Sequence, residues 1–211
     1  MENFDREKHW EHIYQNKQLN EVSWYQPIPD TSLAFIDKAG LSLKAKIIDI
    51  GGGDSFLVDH LLLRGYTDIT VLDISTSAIN RAKQRLGSQA KDVKWIVADA
   101  AKFEATEFYD FWHDRAAFHF LTDAKEISGY LKTAYKSLKQ DGVLVIGTFS
   151  EQGPKKCSGI DIQQYSIHSM AERLNGFFEK MECVHVAHQT PFRTIQDFVF
   201  CSFKKAQNAA V

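Results

Sequence analysis

The residues whose types and spacing could do chemistry gather around one glycine turn. Asp49-Ile50-Gly51-Gly52-Gly53-Asp54-Ser55 closes the short apolar run Lys46 to Ile50. Glycine lets a backbone turn sharply and approach a ligand with no Cβ in the way. Asp73, followed by Ile74, ends the next apolar run, where a carboxylate can accept hydrogen bonds from both hydroxyls of a ribose. Asp99-Ala100 follows the third run, where a carboxylate can accept from the exocyclic amine of a purine. The fourth run ends in Trp112-His113-Asp114-Arg115. His113 is a candidate general base, or a residue whose backbone lines the site. Asp114 and Arg115 are a candidate ion-pair clamp beside it. Acidic strand ends beside a glycine turn suit an adenosine ligand that carries positive charge. They do not suit a pyrophosphate: a dinucleotide loop wants GxGxxG, and Phe56 stands at the sixth position.

Strands alternating with helices would bring these residues together. Ile47-Ile48-Asp49-Ile50, Ile69 to Ile74, Val93 to Val97, Phe108 to His113 and Val143 to Phe149 read as strands. Between them, Ser55 to Arg64 reads as a helix stopped by Gly65, and a second, capped by Ser75 or Thr76, stops at Gly87. A third begins at Asp123, carries Ile127, Leu131, Ala134 and Leu138 on one face, and is expected to end at Asp141-Gly142. This order predicts an α/β fold: a doubly wound sheet, mostly parallel, with helices on both faces. After a helix near Ser166 to Phe178, Cys183 to His188 and Phe198 to Phe203 have no helix between them, and so predict an antiparallel hairpin and seven strands in all. His185 and His188 fall on opposite faces and make no metal pair. Residues 1–45 hold two helical segments, Arg6 to Lys17 and Thr31 to Ala39, joined by an aromatic loop at Trp24-Tyr25. They are expected to form a lid on a domain spanning 46–205, with Trp24 and Tyr14 reaching the ligand. Lys17 is read as solvated, His119 as a core or capping histidine, and Ala206 to Val211 as frayed.

Composition sets the frame. The 211 residues are 44% hydrophobic and 25% charged, with a net charge of -2, so no basic field favours a phosphate backbone. Three cysteines, with no CxxC pair, argue against a disulfide framework or a zinc site and for free thiols. The polar N-terminus and the lack of a run of ~20 apolar residues lead to the expectation of a cytoplasmic protein with no membrane segment.

At this point the sequence resembles the class I S-adenosylmethionine (AdoMet)-dependent methyltransferases. The resemblance is carried by Ile48 to Gly53, Val71 to Ser75, Ala98 to Ala100 and Leu138 to Phe149, in that order. It implies that Gly51 and Gly53 line the methionine part of AdoMet, that Asp49 supports its ammonium, that Asp73 holds the ribose, and that Asp99 and Ala100 meet the adenine. Ser55 departs from the glycine that many members carry there. A narrower resemblance, through Lys8 to Tyr14, Ser23 to Gln26 and Trp112 to Ala116, is to a bacterial branch close to citrate synthase lysine methyltransferase. Asp114-Arg115-Ala116 is also similar to thiopurine methyltransferases. These relatives imply in-line methyl transfer to a small-molecule or protein side-chain acceptor, with S-adenosylhomocysteine as product. With the charge and the lack of an apolar run described above, neither nucleic acid nor membrane is expected as partner, and a monomer or weak homodimer is expected. The loop Gly153 to Gly159 is a candidate acceptor loop. The alternatives are a non-catalytic AdoMet-binding module and a nicotinamide-dependent oxidoreductase, the latter opposed by Phe56 and the acidic strand ends.

Overall fold

A computed structural model of the chain describes residues 4–207. Two helices come first, α1 (Arg6–Asn16) and α2 (Asp30–Lys38). The alternating core follows as β1 (Lys46–Ile50), α3 (Leu57–Leu63), β2 (Asp68–Asp73), α4 (Thr76–Leu86), β3 (Val93–Val97), β4 (Tyr109–Arg115), α5 (Ala124–Ser137) and β5 (Leu138–Phe149). A small hairpin, β6 (Lys156–Cys157) and β7 (Ile160–Asp161), precedes α6 (Ile167–Leu174), β8 (Phe178–Gln189) and β9 (Ile195–Lys205). The main sheet has seven strands in the order β3-β2-β1-β4-β5-β9-β8. Strands β1 to β5 are parallel, while β9 runs antiparallel to β5 and β8 antiparallel to β9. The strand order reverses between β1 and β4, so ligands are expected beyond their C-terminal ends.

The strand period of two sorts the core into two layers. Ile48, Ile50, Trp112, Leu144 and Ile146 pack with Ile127, Leu131 and Ala134 of α5 and Met170 and Leu174 of α6. Ile47, Phe111 and Val145 pack on the other face with Leu33 and Ile36 of α2 and Leu57, Val58 and Leu61 of α3. The predicted stops hold where chemistry fixes them. Ser75 caps α4 by accepting from the Ala78 amide, Asp123 caps α5, and Gly65 and Gly87 take positive φ past the ends of α3 and α4.

Four expectations are corrected. First, α5 ends at Ser137, not at Asp141-Gly142: Leu138 leaves the helix and pairs with Tyr109, which leaves the turn residues inside a longer β5 with a register shift. Second, Cys183 and Cys201 form a disulfide, where free thiols were expected. They are register partners across β8 and β9, with Cα atoms 4.1 Å apart, and cross-strand register is invisible to cysteine counting. Third, Ala206 is anchored rather than frayed: its amide donates to the Phe177 carbonyl and its carbonyl accepts from the Tyr135 hydroxyl. The rest of that tail, from residue 208 on, lies outside the described residues. Fourth, Asp114 does not pair with Arg115, because neighbours on a strand point to opposite faces.

Asp114 instead ties β4 to α5. It is fully buried, accepts from the Ala117 and Phe118 amides, and accepts from the Tyr130 hydroxyl at 2.7 Å. Tyr130 in turn accepts from the Trp112 indole N–H at 3.0 Å. Tyr130→Phe leaves a buried carboxylate oxygen and a buried indole donor without partners, each costing about 1–3 kcal/mol. Thermal unfolding of Tyr130→Phe is expected about 5–10 °C below that of the wild type, and an unchanged Tm would show that this network does not hold the strand end.

Candidate active site

The glycine turn is shaped by the two carboxylates that flank it. Gly51 adopts φ +67°, the left-handed region that suits glycine. A Cβ at Gly52 would collide with the Asp49 carboxylate, and one at Gly53 with the Asp73 carboxylate and Ala78. The turn therefore lies directly on both acids. The Gly52 amide donates back to the Leu72 carbonyl at 3.1 Å, which locks the turn to β2.

Asp49 is 3% exposed. It is the register partner of His113 across β1 and β4, so both side chains share a sheet face. Its Oδ1 meets His113 Nδ1 at 2.6 Å, and His113 Nε2 meets the Ser32 hydroxyl of α2 at 2.8 Å. Both ring nitrogens of His113 are thus engaged. Asp49 Oδ2 is buried with no hydrogen-bond donor among the described residues. Asp73 accepts from the Ser75 amide at 2.8 Å, yet no cation among the described residues pairs with it, and burial raises its carboxyl to about 7. Asp114 is likewise raised to about 6 by burial. A single cavity is lined by Asp49, Gly51, Gly52, Asp73, Ile74, Asp99, Ala100, His113 and Arg115, and by Tyr14 and Trp24 from the N-terminal segment. Gly53 abuts it through Asp73, whereas Asp114 points to the other sheet face.

Sequence reasoning missed the residues that hold the N-terminal helix over this cavity. Arg6 donates to Asp99 at 3.1 Å and to Glu126 at 2.8 Å. Glu11 accepts from the Ser75 hydroxyl at 2.7 Å, from the Ser77 amide at 3.1 Å, and from the Ser77 hydroxyl. It thereby caps the first turn of α4 from a helix 64 residues away. Arg81 of α4 returns the bond, donating to the carbonyls of Tyr14 and Lys17 at the C-terminus of α1. Nothing in the sequence marks the partners of Arg6 and Glu11, since each reads as an ordinary charge on a polar helix face, even though Glu11 lies within the Lys8 to Tyr14 run.

The aromatic loop behaves as a wall. Trp24 packs edge-on to Trp10 at 5.6 Å and to Tyr14 at 6.2 Å, and Trp10 packs edge-on to Phe120 at 5.0 Å. Phe56, the residue foreign to a dinucleotide loop, stacks under the Arg85 guanidinium at 4.4 Å and meets Tyr25 edge-on. Lys17 is exposed, as expected, and His119 is a core histidine whose Nδ1 accepts from the Phe149 amide. His185 is exposed and His188 buried, on opposite faces. From the Gly153 to Gly159 loop, Cys157 reaches the cavity wall, and burial pushes its thiol up to about 11.

Comparison with known proteins agrees with this geometry. Residues 47–142 match the family model described as a methyltransferase domain. The malonyl-[acyl-carrier protein] O-methyltransferase of Anoxybacillus flavithermus is 33% identical over 108 residues, covering 50% of this chain and 39% of its own. The chain thus spans about two fifths of the length of such curated relatives. N-methyltransferase NodS of Bradyrhizobium japonicum, solved with S-adenosyl-L-homocysteine, superposes with a TM-score of 0.68 at 18% identity, covering 96% of this chain and 100% of NodS. A SAM-dependent methyltransferase of Anabaena variabilis superposes with a TM-score of 0.75 at 14% identity, covering 97% of this chain and 96% of its own. Residues 47–142 thus carry the sequence pattern of a methyltransferase domain, and the chain as a whole has the fold of the solved AdoMet-dependent methyltransferases it superposes on.

Proposed function

We propose that this protein transfers a methyl group from AdoMet to a small-molecule or protein side-chain acceptor, as a monomer or weak homodimer in the cytoplasm. The observation that carries the reading is Asp49 Oδ2, a buried acceptor with no donor in a cavity that also holds Asp73. An uncompensated carboxylate in that position fits a ligand with a cationic amine at one end and a vicinal diol at the other.

Each residue then has a task. Asp49 receives the methionine ammonium, and His113, held by Ser32, fixes the carboxylate that does so. His113 is thus a positioning residue. Gly51 and Gly53 let the main chain lie against the methionine part. Asp73 takes the ribose hydroxyls, Ile74 packs on the base, and Asp99 with Ala100 borders the adenine. Asp114 holds the end of β4 in place, and Arg115 stands on the acceptor side. Tyr14 and Trp24 close the site and exclude water. Bound AdoMet supplies a methyl already activated by its sulfonium. The chain's main contribution is therefore alignment, which accounts for about 7–11 kcal/mol of barrier in well-oriented systems.

Calorimetric titration tests the cofactor. AdoMet and S-adenosylhomocysteine are expected to bind at micromolar affinity and NADH not at all. Asp73→Ala is expected to weaken both by about 100-fold, the worth of two hydrogen bonds to a carboxylate. Normal binding by Asp73→Ala, or binding of NADH alone, overturns the reading. Tight binding with no turnover on thiols, amines and proteins would make the chain a non-catalytic AdoMet-binding module.

The raised carboxyl of Asp73 gives a pH signature. Ribose hydroxyls donate to the ionised form, so binding releases a proton wherever the free site is protonated. Affinity for S-adenosylhomocysteine is expected to be flat above about pH 8 and to fall as pH drops through 7, approaching tenfold per unit. The sign is opposite for the ligand-free fold. Stability due to this group is complete below 3.8 and is lost as pH rises through about 7. Dissociation constants at pH 6, 7 and 8 check the first statement, and a pH-independent constant would refute it.

The clips on α1 make the N-terminal segment a lid. Removing Arg6 and Glu11 together (Arg6→Ala, Glu11→Ala) is expected to speed S-adenosylhomocysteine release about tenfold, affinity changes being mostly dissociation-rate changes. Stopped-flow fluorescence of the Trp10 and Trp24 pair reads this rate. An unaltered rate would assign α1 a purely structural role.

A further inference from the structure

Arg115 is a half-buried cation that meets no carboxylate among the described residues. It follows His113 by two residues on β4 and so shares its sheet face. Its Nη1 donates to the Trp24 carbonyl at 3.1 Å, and its guanidinium lies 5.1 Å from the centre of the Phe198 ring. Among the described residues it makes no ion pair. The charged and titratable groups around it do not neutralise it. Asp49 is bonded to His113 and acts only at a distance; Cys157 is held as a thiol by burial. His119 and His188 are both kept neutral by burial, His119 at about 3. Burial also pulls the Arg115 guanidinium down to about 10, which leaves it charged at neutral pH.

A guanidinium carries five N–H donors in a fixed fork, and a half-buried cation against an aromatic wall has donors left for something negative in the cavity. Arg115 lines the cavity alongside Trp24, Phe198 and Cys157, and Asp73, Asp99 and Ala100, assigned above to the nucleoside, line it as well. We propose that Arg115 reads the methyl acceptor as an anion: the substrate is a small apolar or aromatic molecule whose nucleophile is an acidic group, a thiolate, phenolate or carboxylate, and not an amine. This rests on the methyltransferase reading above.

The chemistry balances without a general base. A carboxylate acceptor enters already ionised, and a thiol or phenol gives its proton to solvent as it enters, because the guanidinium stabilises its anion. The lone pair of that anion forms the new bond to the methyl carbon. The methyl–sulfur bond breaks, its electron pair stays on sulfur, and the sulfonium becomes a neutral thioether. The methylated product is neutral, so its attraction to Arg115 is lost and it leaves. An ammonium acceptor would meet like charge. It would also lack a base, since both nitrogens of His113 are engaged.

The test uses the wild-type chain loaded with S-adenosylhomocysteine and three probes of one shape: 2-naphthoate, 2-naphthalenethiol and 2-naphthylmethylamine. Calorimetry is expected to give binding of the naphthoate and the thiol, with the thiol releasing a proton to buffer, and at least tenfold weaker binding of the amine. Arg115→Met is expected to lower naphthoate affinity about 10- to 100-fold relative to the neutral 2-naphthamide, the worth of a charge-assisted bond. Arg115→Lys should recover part of that ratio. Preference for the amine in the wild type, or an unchanged naphthoate-to-naphthamide ratio in Arg115→Met, overturns the proposal; the wild-type arm decides it even where the variant fails to fold. A loss of S-adenosylhomocysteine affinity in Arg115→Met also overturns it, by assigning the guanidinium to the ligand's own carboxylate. If the wild type does not bind S-adenosylhomocysteine at all, the methyltransferase reading itself falls.

Discussion

The structure is organised around the cost of keeping carboxylates out of water at the ends of β1 and β2. Asp49 and Asp73 are both nearly inaccessible, and among the described residues neither pairs with a lysine or arginine. A fold selected for stability alone would neutralise them or replace them. Here backbone amides and one imidazole give partial compensation, and Asp49 Oδ2 is left without a partner among the described residues. The glycine turn follows from this, since only glycine fits against both acids. So does the Ser32–His113–Asp49 chain, which joins α2, β4 and β1 into one rigid floor. The contrast with Asp54 is instructive: equally buried, it is answered by Arg81 and Arg85 and serves structure.

Local chemistry made much of this legible in advance. The glycine turn, Asp73 and the caps at Ser75 and Asp123 are each dictated by a residue and its near neighbours, so the sequence carries them openly. Strand alternation also decides that His113 and Arg115 share a face and that Asp114 does not, a step that the clamp reading overlooked. What stayed hidden depends on tertiary register. Ser32 reaches His113 across 81 residues, Arg6 reaches Glu126 across 120, and Cys183 meets Cys201 only because β8 and β9 pair as they do. Leu138 fits a helical stripe as well as a strand, and pairing with Tyr109 decides the matter. Propensity loses there to sheet extension, as it often does at element ends.

The N-terminal segment joins the two themes. Its hydrogen bonds do for α4 what a local cap would do, and α4 does the same for the C-terminus of α1. Neither helix is fully satisfied alone, so the segment over the cavity and the strand-end floor beneath it depend on one another. The aromatic packing of Trp10, Trp24 and Phe120 supplies apolar area above that polar seam.

The bond between Cys183 and Cys201 reaches beyond the site. It staples the last strand of the chain, β9, to the sheet edge, β8, while β9 also pairs with β5 in the sheet interior. Partial opening of the domain is thereby made asymmetric. The β8–β9 pair moves as one covalent unit, whereas β3 at the opposite edge is held by β2 alone. Amide protons along the hairpin are expected to share the fate of the central strands, and the opposite edge, at β3, to open more readily.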